Sequence, residues 1–476
     1  MDRSDIEPVL RAALDATLAY LAAVDGSPVG AAGDARGPSP LPSEGIGPAG
    51  ALSELVERIA ARGVASTGPR FFHYVVGGVT PSALAADWLA SAVDQIAASV
   101  TASPVGVELE EIATRWLAEL FDLDPRAWTG TLTTGATAAN FTGLGAARQW
   151  WGERLGVDVA EEGLAGLPRP VVLAGGYVHA SAVKALAMLG IGRRSLERFT
   201  ADNRGAVDLE ALSRRLDALD GAPAIVVATA GEVNAGRFDP IDELADLCDT
   251  HDAWLHVDGA FGLFARATPR TASLARGIER ARSIASDAHK WLNVPYDCGF
   301  AFVRDRALLA KTFRMVADYL PGSGAVGTGP RVPANLGVEC SRRARAFPVF
   351  ATLLAHGRAG VRTLVERHLD LAERLARLVR EADDLELVDE VHLNVVPFRF
   401  APASVRRRDL DELNAELAQR VLDDGRVFVG STRYRSVVCF RPAIANWRTG
   451  EADVDLLVEV MRQLGEELLR SRADVV

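Results

Sequence analysis

The sequence predicts an α/β protein with a mostly parallel sheet in a large domain and a smaller α/β domain at the C-terminus. The chain has 476 residues, 49% hydrophobic and 24% charged, which is enough for two hydrophobic cores. Between residues 130 and 305, short β-branched runs alternate with helical stretches, as in a parallel sheet covered by helices on both faces. We therefore divide the chain into an N-terminal helical arm (1–69), a large domain (70–345) and a small domain (346–476).

The N-terminal arm combines helices with a segment rich in glycine and proline. Residues 6–24 place Leu10, Leu14 and Leu18 at helical spacing, which predicts an amphipathic helix that needs an apolar partner. Residues 25–50 are too poor in large apolar groups to form a core and are predicted to be an extended arm or loop. Further helices are predicted over 51–62 and 81–100.

In the large domain, apolar strands and helical patterns follow each other regularly. Strands are predicted over 170–174, 224–228, 253–257, 283–285 and 299–303, and helices over 138–151, 181–189, 209–219 and 241–251. The small domain is predicted to contain a charged helix over 364–382, strand-like segments over 392–400 and 436–440, and a closing helix over 452–471.

Composition argues against several classes of protein. The net charge is −11 and the basic residues are interspersed with acidic ones, so we expect no nucleic-acid partner. The four cysteines lie far apart, without the spacing of a metal site or the density of a disulfide scaffold. No targeting signal or apolar run of membrane-spanning length is evident. We expect a cytoplasmic protein without a metal and without a membrane partner.

Two polar motifs follow predicted strands, where ligands bind in open α/β sheets. In residues 132–140 (LTTGATAAN), small residues open a helix, whose N–H groups and dipole favour a phosphate, and Thr137 adds a hydroxyl. A tight turn with a helix cap is the alternative interpretation. In residues 254–260 (WLHVDGA), an apolar strand ends at Asp258. Burying this carboxylate requires a cation or strong hydrogen-bond donors, and the protonated pyridine nitrogen of pyridoxal phosphate would be such a cation. The alternative interpretation is that Asp258 only caps a turn.

A third motif, residues 286–291 (SDAHKW), contains Lys290 at the end of another apolar strand. The chain has only three lysines among its 52 basic residues, so arginine serves wherever positive charge alone suffices. Schiff-base chemistry needs an amine that can lose its proton, which arginine cannot supply. Lys290 follows Asp258 by 32 residues (290 − 258), about one strand–helix–strand unit, so both can flank one pocket. The three motifs together predict an enzyme that uses pyridoxal 5'-phosphate.

Longer stretches make the similarity specific. The segments HVDGAFG, SDAHKWLNVPYDCG, FFHYVVGGVTPSALAADWLASAV and FRPAIANWRT resemble the group II pyridoxal-phosphate-dependent amino-acid decarboxylases, which include aromatic-amino-acid and glutamate decarboxylases. The resemblance spans about residues 50–460. It implies the aspartate-aminotransferase type of fold (fold type I), a homodimer with active sites at the interface, and decarboxylation of an L-amino acid, aromatic ones among the candidates.

The resemblance also implies roles for cofactor-binding residues. Lys290 would form the Schiff base, Asp258 would bind the pyridinium nitrogen, and His179 would stack on the ring. The phosphate would bind the turn formed by Gly135, Ala136 and Thr137. A capped helix start is the alternative interpretation of His179.

Substrate contacts follow from the same resemblance. His289 would face the phosphate or the substrate, and Arg441 would receive the substrate carboxylate, unless it forms a surface or interdomain ion pair. Tyr74 would line the pocket.

Three departures from the family pattern leave the reaction open. Ala138 replaces a glutamate common in the phosphate turn, and residues 231–234 (GEVN) replace Gly-Thr-Thr, where Asn234 would supply the lost hydrogen bond. Residues 321–337, predicted to form a mobile loop over the pocket, lack the tyrosine that protonates the product in aromatic-amino-acid decarboxylases. We therefore expect His179 or His289 to be the proton donor.

The missing tyrosine keeps two other functions open. The first retains the carboxylate, as in an aldolase or other lyase, an aminotransferase or an oxidative deaminase. The second is a catalytically silent scaffold, against which the joint presence of Lys290, Asp258 and His179 argues.

Overall fold

A computed structural model describes residues 3–30, 40–317 and 332–473. Its larger sheet has seven strands. They are β1 (Thr129–Thr133), β2 (Val171–Ala174), β3 (Leu196–Arg198), β4 (Ala224–Thr229), β5 (Trp254–Asp258), β6 (Ser283–Asp287) and β7 (Gly299–Val303). The second sheet has four strands, β8 (Leu385–Leu387), β9 (Phe398–Phe400), β10 (Ser431–Tyr434) and β11 (Val437–Phe440).

Helices cover both sheets. They are α1 (Ile6–Ala23), α2 (Gly47–Arg62), α3 (Pro81–Val93), α4 (Pro104–Leu120), α5 (Ala136–Arg154), α6 (Val159–Glu162), α7 (Ala180–Met188), α8 (Leu209–Asp217), α9 (Ile241–Thr250), α10 (Ala288–Trp291), α11 (Arg306–Phe313), α12 (Ala346–Glu381), α13 (Leu410–Asp424) and α14 (Glu451–Ala473). The alternation of strands and helices in the large domain confirms the predicted α/β class.

The strand order of the large sheet is β1-β7-β6-β5-β4-β2-β3. Strands β3, β2, β4, β5 and β6 pair in parallel, whereas β7 runs antiparallel to both β6 and β1. Every residue of β4 to β7 is buried, which agrees with the nearly continuous apolar sequences of β4 and β7, whereas β5 and β6 bury polar side chains as well. Because β1, β4, β5 and β6 point the same way, their carboxyl ends lie at one edge of the sheet.

Helix α12 contributes to both hydrophobic cores. Its first part packs Val349 and Leu353 into the core of the large sheet, and its last part packs Leu375 and Val379 against the second sheet. Gly357, at φ +59, marks a kink between the two parts. The helix thus begins at the predicted boundary and connects the two units, and the division at residue 346 stays a prediction.

Three local predictions were wrong at their boundaries. The helix predicted over 81–100 ends at Val93, because Asp94 adopts a left-handed conformation with φ 44°. Of the strand predicted over 392–400, only Phe398–Phe400 pairs as a strand. The segment predicted as an arm over 25–50 already enters helix α2 at Gly47, and Val29 is buried in a small cluster with Ala65.

Helices α1 and α2 contain no buried residue, and the apolar side chains of Leu10, Leu14 and Leu18 on α1 are exposed. No helix within the described ranges combines the length and the apolar character needed to cross a membrane. Likewise, no cluster of three or more metal-ligating side chains occurs in these ranges. Residues 321–331 of the predicted loop lie outside the described residues.

Candidate active site

Five of the nine predicted site residues line a cavity at the carboxyl edge of the large sheet, whereas Gly135, Ala136, Thr137 and His289 are not among its lining residues. The cavity measures about 400 Å³. Strand β5 ends at Asp258, and the adjacent strand β6 leads directly into helix α10, which carries Lys290. The side chains predicted from the sequence that line this cavity are Tyr74, His179, Asp258, Lys290 and Arg441.

Asp258 is buried and accepts hydrogen bonds only from neutral donors. Asn140 Nδ2 donates over 2.8 Å, the Ala260 N–H over 3.2 Å and the Ser181 hydroxyl over 3.5 Å. Among the described residues, no lysine or arginine nitrogen forms an ion pair with this carboxylate. A buried carboxylate without a cation is costly, so the site is suited to a ligand that brings a positive charge.

Lys290 pairs with an acidic neighbour that the sequence interpretation left unassigned. Its Nζ lies 2.9 Å from Oδ2 of Asp287, the buried last residue of β6. The other oxygen, Oδ1, accepts the Ala136 N–H over 2.5 Å. Asp287 therefore links the lysine turn to the start of helix α5.

His179 begins helix α7 and faces the cavity. Its Nδ1 accepts the Ser181 N–H over 3.2 Å and lies 2.8 Å from the Ser181 hydroxyl. The cap that was the alternative interpretation is therefore present, and it coexists with a place in the cavity lining. Although much of its surface opens onto the cavity, the ring lies deep enough that desolvation lowers the pKa of His179, despite the opposing effect of Asp258.

In the predicted phosphate turn, a carboxylate already accepts one of the backbone N–H groups. Gly135 precedes α5 with φ +157, and a Cβ there would come within 3.1 Å of His289. The Ala136 N–H is already bound by Asp287, and Thr137 opens onto a neighbouring cavity of about 320 Å³. The three residues thus lie together, but only part of the turn faces free space.

Arg441 reaches the cavity from the end of β11. It is buried, and burial lowers the pKa of its guanidinium, while the nearby Glu232 opposes this effect. One guanidinium nitrogen donates to the Val233 carbonyl over 3.2 Å. The ion pair that was the alternative interpretation is not found among the described residues, so Arg441 keeps donors for a ligand.

The turn that replaces Gly-Thr-Thr is held together by its own side chains. The buried carboxylate of Glu232 accepts the Asn234 N–H over 2.8 Å and also the Ala235 N–H. Asn234 in turn accepts a hydrogen bond from Thr432 over 3.1 Å. Asn234 therefore fastens the cavity wall between the two sheets.

Two further predicted residues border the site. Tyr74 is exposed at the cavity mouth, and Tyr74 and Val75 both have positive φ, at 60° and 71°. Such strain in a β-branched residue is rare and is typical of functional segments. His289 is buried, with Nδ1 accepting the Cys298 N–H over 3.2 Å and Nε2 3.4 Å from Asp287, and burial lowers the pKa of His289.

Sequence reasoning missed Asn140, Glu232 and Asp287. Asn140 lies one helical turn after Ala136, so its polar side chain in a run of small residues was the available signal. Asp287 lies in the motif that contains Lys290, and Glu232 lies in the turn that contains Asn234, so each carboxylate stood beside a residue with a predicted role.

Comparison with known proteins agrees with this geometry. Residues 47–401 match the pyridoxal-dependent decarboxylase conserved domain. The chain belongs to the pyridoxal-dependent decarboxylase family. It is 30% identical over 404 residues to an aromatic-L-amino-acid decarboxylase of Bacillus atrophaeus, covering 84% of this chain and 82% of that protein. It is 28% identical over 430 residues to the human acidic amino acid decarboxylase GADL1, covering 88% of this chain and 81% of the relative.

Solved structures extend the similarity to almost the whole chain. The crystal structure of Oryza sativa TDC with PLP and tryptamine has a TM-score of 0.91 at 25% identity, covering 98% of this chain and 99% of that one. Mouse CSAD in its apo form has a TM-score of 0.87 at 26% identity, with the same coverage. The predicted fold type, the pyridoxal-phosphate cofactor and the assignment as a carboxy-lyase are confirmed.

The residues of the cavity fit this cofactor. Asp258 presents a buried carboxylate that forms no ion pair with a lysine or arginine in the described part of the chain, which suits a protonated ring nitrogen. Lys290 presents a primary amine to the same cavity. The start of the 19-residue helix α5, where Thr137 lines the neighbouring cavity, has the positive dipole end that suits a phosphate.

Proposed function

We propose that this protein removes the α-carboxylate of an L-amino acid, with Lys290, Asp258 and His179 holding the cofactor in the cavity described above. The observation that carries this proposal is the convergence of a lysine amine and a buried, cation-free carboxylate on neighbouring strand ends. When bound, pyridoxal phosphate supplies an electron sink for the bond that breaks. The protein's own task is to hold, orient and protonate.

Each residue has a distinct part in this proposal. Lys290 holds the cofactor covalently, and Asp258 keeps a proton on the ring nitrogen. His179, which lines the cavity and whose Nδ1 accepts the Ser181 N–H, would hold the cofactor ring by stacking on it. Gly135 and Thr137 offer backbone N–H groups to the phosphate, next to the Ala136 N–H that Asp287 holds.

Arg441 is proposed to bind a carboxylate of the substrate, because its buried charge has only the Val233 carbonyl as a hydrogen-bond partner among the described residues. Tyr74 closes the mouth of the pocket beside it. The proton that replaces carbon dioxide is proposed to come from His179, which lines the cavity, or from His289, which precedes Lys290 in α10.

We also propose a cytoplasmic homodimer. The apolar stripe of Leu10, Leu14 and Leu18 on helix α1 is exposed in the single chain, and a second copy would cover it.

The decisive experiment incubates the purified holoenzyme with each of the twenty amino acids and with hydroxylated aromatic ones. Carbon dioxide, ammonia and keto acid are measured separately. Stoichiometric carbon dioxide and amine support the proposal. Ammonia or keto acid without carbon dioxide would contradict it and favour a reaction that retains the carboxylate.

A further inference from the structure

The buried face of strand β5 carries a polar chain that the proposed function does not use. Trp254, His256 and Asp258 alternate along the strand and therefore point to the same face, which helix α5 covers. Trp254 and His256 are both buried, and the Arg282 guanidinium lies over the Trp254 ring, 5.8 Å from its centroid. His256 is thus a buried polar residue on the strand that ends at Asp258, and the proposed function gives it no role.

Hydrogen bonds connect this histidine to Asp258 through one intermediary. His256 Nε2 lies 2.8 Å from Oδ1 of Asn140, and Nδ2 of the same amide donates to Asp258 over 2.8 Å. Because the Asp258 carboxylate requires a donor, the amide must present its nitrogen to Asp258 and its oxygen to His256. His256 therefore donates from Nε2.

The other ring nitrogen fixes the protonation state. With a proton on Nε2, a neutral ring has Nδ1 free as an acceptor, and the Ser283 hydroxyl lies 2.8 Å from it. Ser283 itself accepts the indole N–H of Trp254 over 2.9 Å. Complete burial lowers the pKa of His256 to about 3, which agrees with a neutral ring.

The surrounding backbone is shaped for this arrangement. A Cβ at Gly143 would lie 2.8 Å from Cε1 of His256, so only glycine allows helix α5 to pack this closely on the strand. The packing brings Asn140, one turn earlier in the helix, into line with both His256 and Asp258. We call the resulting hydrogen-bonded chain the β5 relay; its members are Trp254, Ser283, His256 and Asn140. Every polar side-chain atom of these four residues has a hydrogen-bond partner.

We propose that the β5 relay positions Asp258, with His256 holding the Asn140 amide in the one orientation that lets Asp258 bind a protonated ring nitrogen. His256 is thus a positioning residue that acts through Asn140 and does not itself contact cofactor or substrate. This inference rests on the proposed role of Asp258. Without His256, the Asn140 oxygen loses its donor, and the amide is held beside Asp258 only through its nitrogen, by the carboxylate and by the Ser181 hydroxyl at 3.1 Å.

The test is 15N NMR of the holoprotein reconstituted with ring-15N pyridoxal phosphate, titrated with pH, since the ring 15N shift reports the proton directly. For His256→Leu we expect the pH at which the ring nitrogen loses its proton to fall by about one unit, a tenfold weaker hold. The dissociation constant of the cofactor should rise about tenfold as well. His256→Gln, which can donate to Asn140 and accept from Ser283, should recover most of both losses.

A matched control comes from another fully buried histidine, His368. His368 is equally buried, bonds Trp291 and the Asn446 carbonyl through its two ring nitrogens, and has its pKa lowered to about 3 by burial. His368→Gln should lower thermal stability without moving the ring 15N titration. If His368→Gln shifted the ring 15N titration as much as His256→Leu does, the shift would reflect general destabilisation of the protein, and the proposal would be overturned.

Two further variants keep the outcomes separate. If His256→Leu does not fold, Ser283→Ala removes the donor to Nδ1, together with the acceptor of the Trp254 indole N–H, and should move the titration in the same direction by a smaller amount. An unchanged ring nitrogen in every folded relay variant refutes the relay. An unchanged ring nitrogen in Asp258→Asn refutes instead the proposed role of Asp258.

Discussion

Replacing Asp258 by asparagine removes one charge while keeping the size of a side chain that is 3% exposed. The amide oxygen can still accept the hydrogen bond from Asn140, but the amide nitrogen then faces the Ala260 N–H, which loses its acceptor. The larger loss is electrostatic. Two unit charges 4 Å apart interact by about 4 kcal/mol at an effective dielectric constant of about 20.

If this interaction is needed in the transition state, a loss of about 4 kcal/mol corresponds to a roughly 10³-fold lower turnover. The assay is the steady-state release of carbon dioxide from saturated holoenzyme, with cofactor content measured by absorbance. Asp239→Asn is the matched control: this carboxylate is also buried, burial raises its pKa to about 7, and it contacts the Thr229 N–H. Turnover of Asp258→Asn within tenfold of the wild type, at full cofactor content, would refute the reasoning.

Four further predictions address the remaining roles. Lys290→Ala should abolish turnover and leave a folded protein, and borohydride trapping of the cofactor on any other lysine would refute the assignment. In at least one of the variants His179→Gln and His289→Gln, protonation of the product should be slower than in the wild type. An unchanged rate of protonation in both variants, together with slower protonation in a variant of residues 321–337, would contradict a histidine donor. Since burial lowers the pKa of His368 to about 3, the unfolded chain takes up this proton first, so His368 contributes about 1.4 kcal/mol per pH unit to the fall in stability below about pH 6.5, and stability measured in urea should fall less steeply by that amount in His368→Gln. Leu14→Glu should shift sedimentation toward monomer, whereas a fully active monomer of the wild type would exclude the homodimer.

The sequence by itself determined the class of fold and the chemical centre. The α/β alternation predicted the large sheet, and the polar residues that follow apolar strands predicted the cavity. Lys290 and Asp258 could be paired from the sequence because parallel strands joined by a crossover bring their carboxyl ends to one edge of the sheet. The resemblance to decarboxylases then identified His179 and Arg441 as neighbours of that edge.

Tertiary structure decided which side chains meet across elements. The reversed direction of β7, the Asp287 carboxylate on the Ala136 N–H and the link from His256 through Asn140 to Asp258 join residues from separate elements. No local pattern predicts them, because each depends on how closely a helix packs on a strand and which way a buried side chain turns. Periodicity tells which face of an element is buried, whereas hydrogen-bond partners on that face are fixed only by the packing of the whole core.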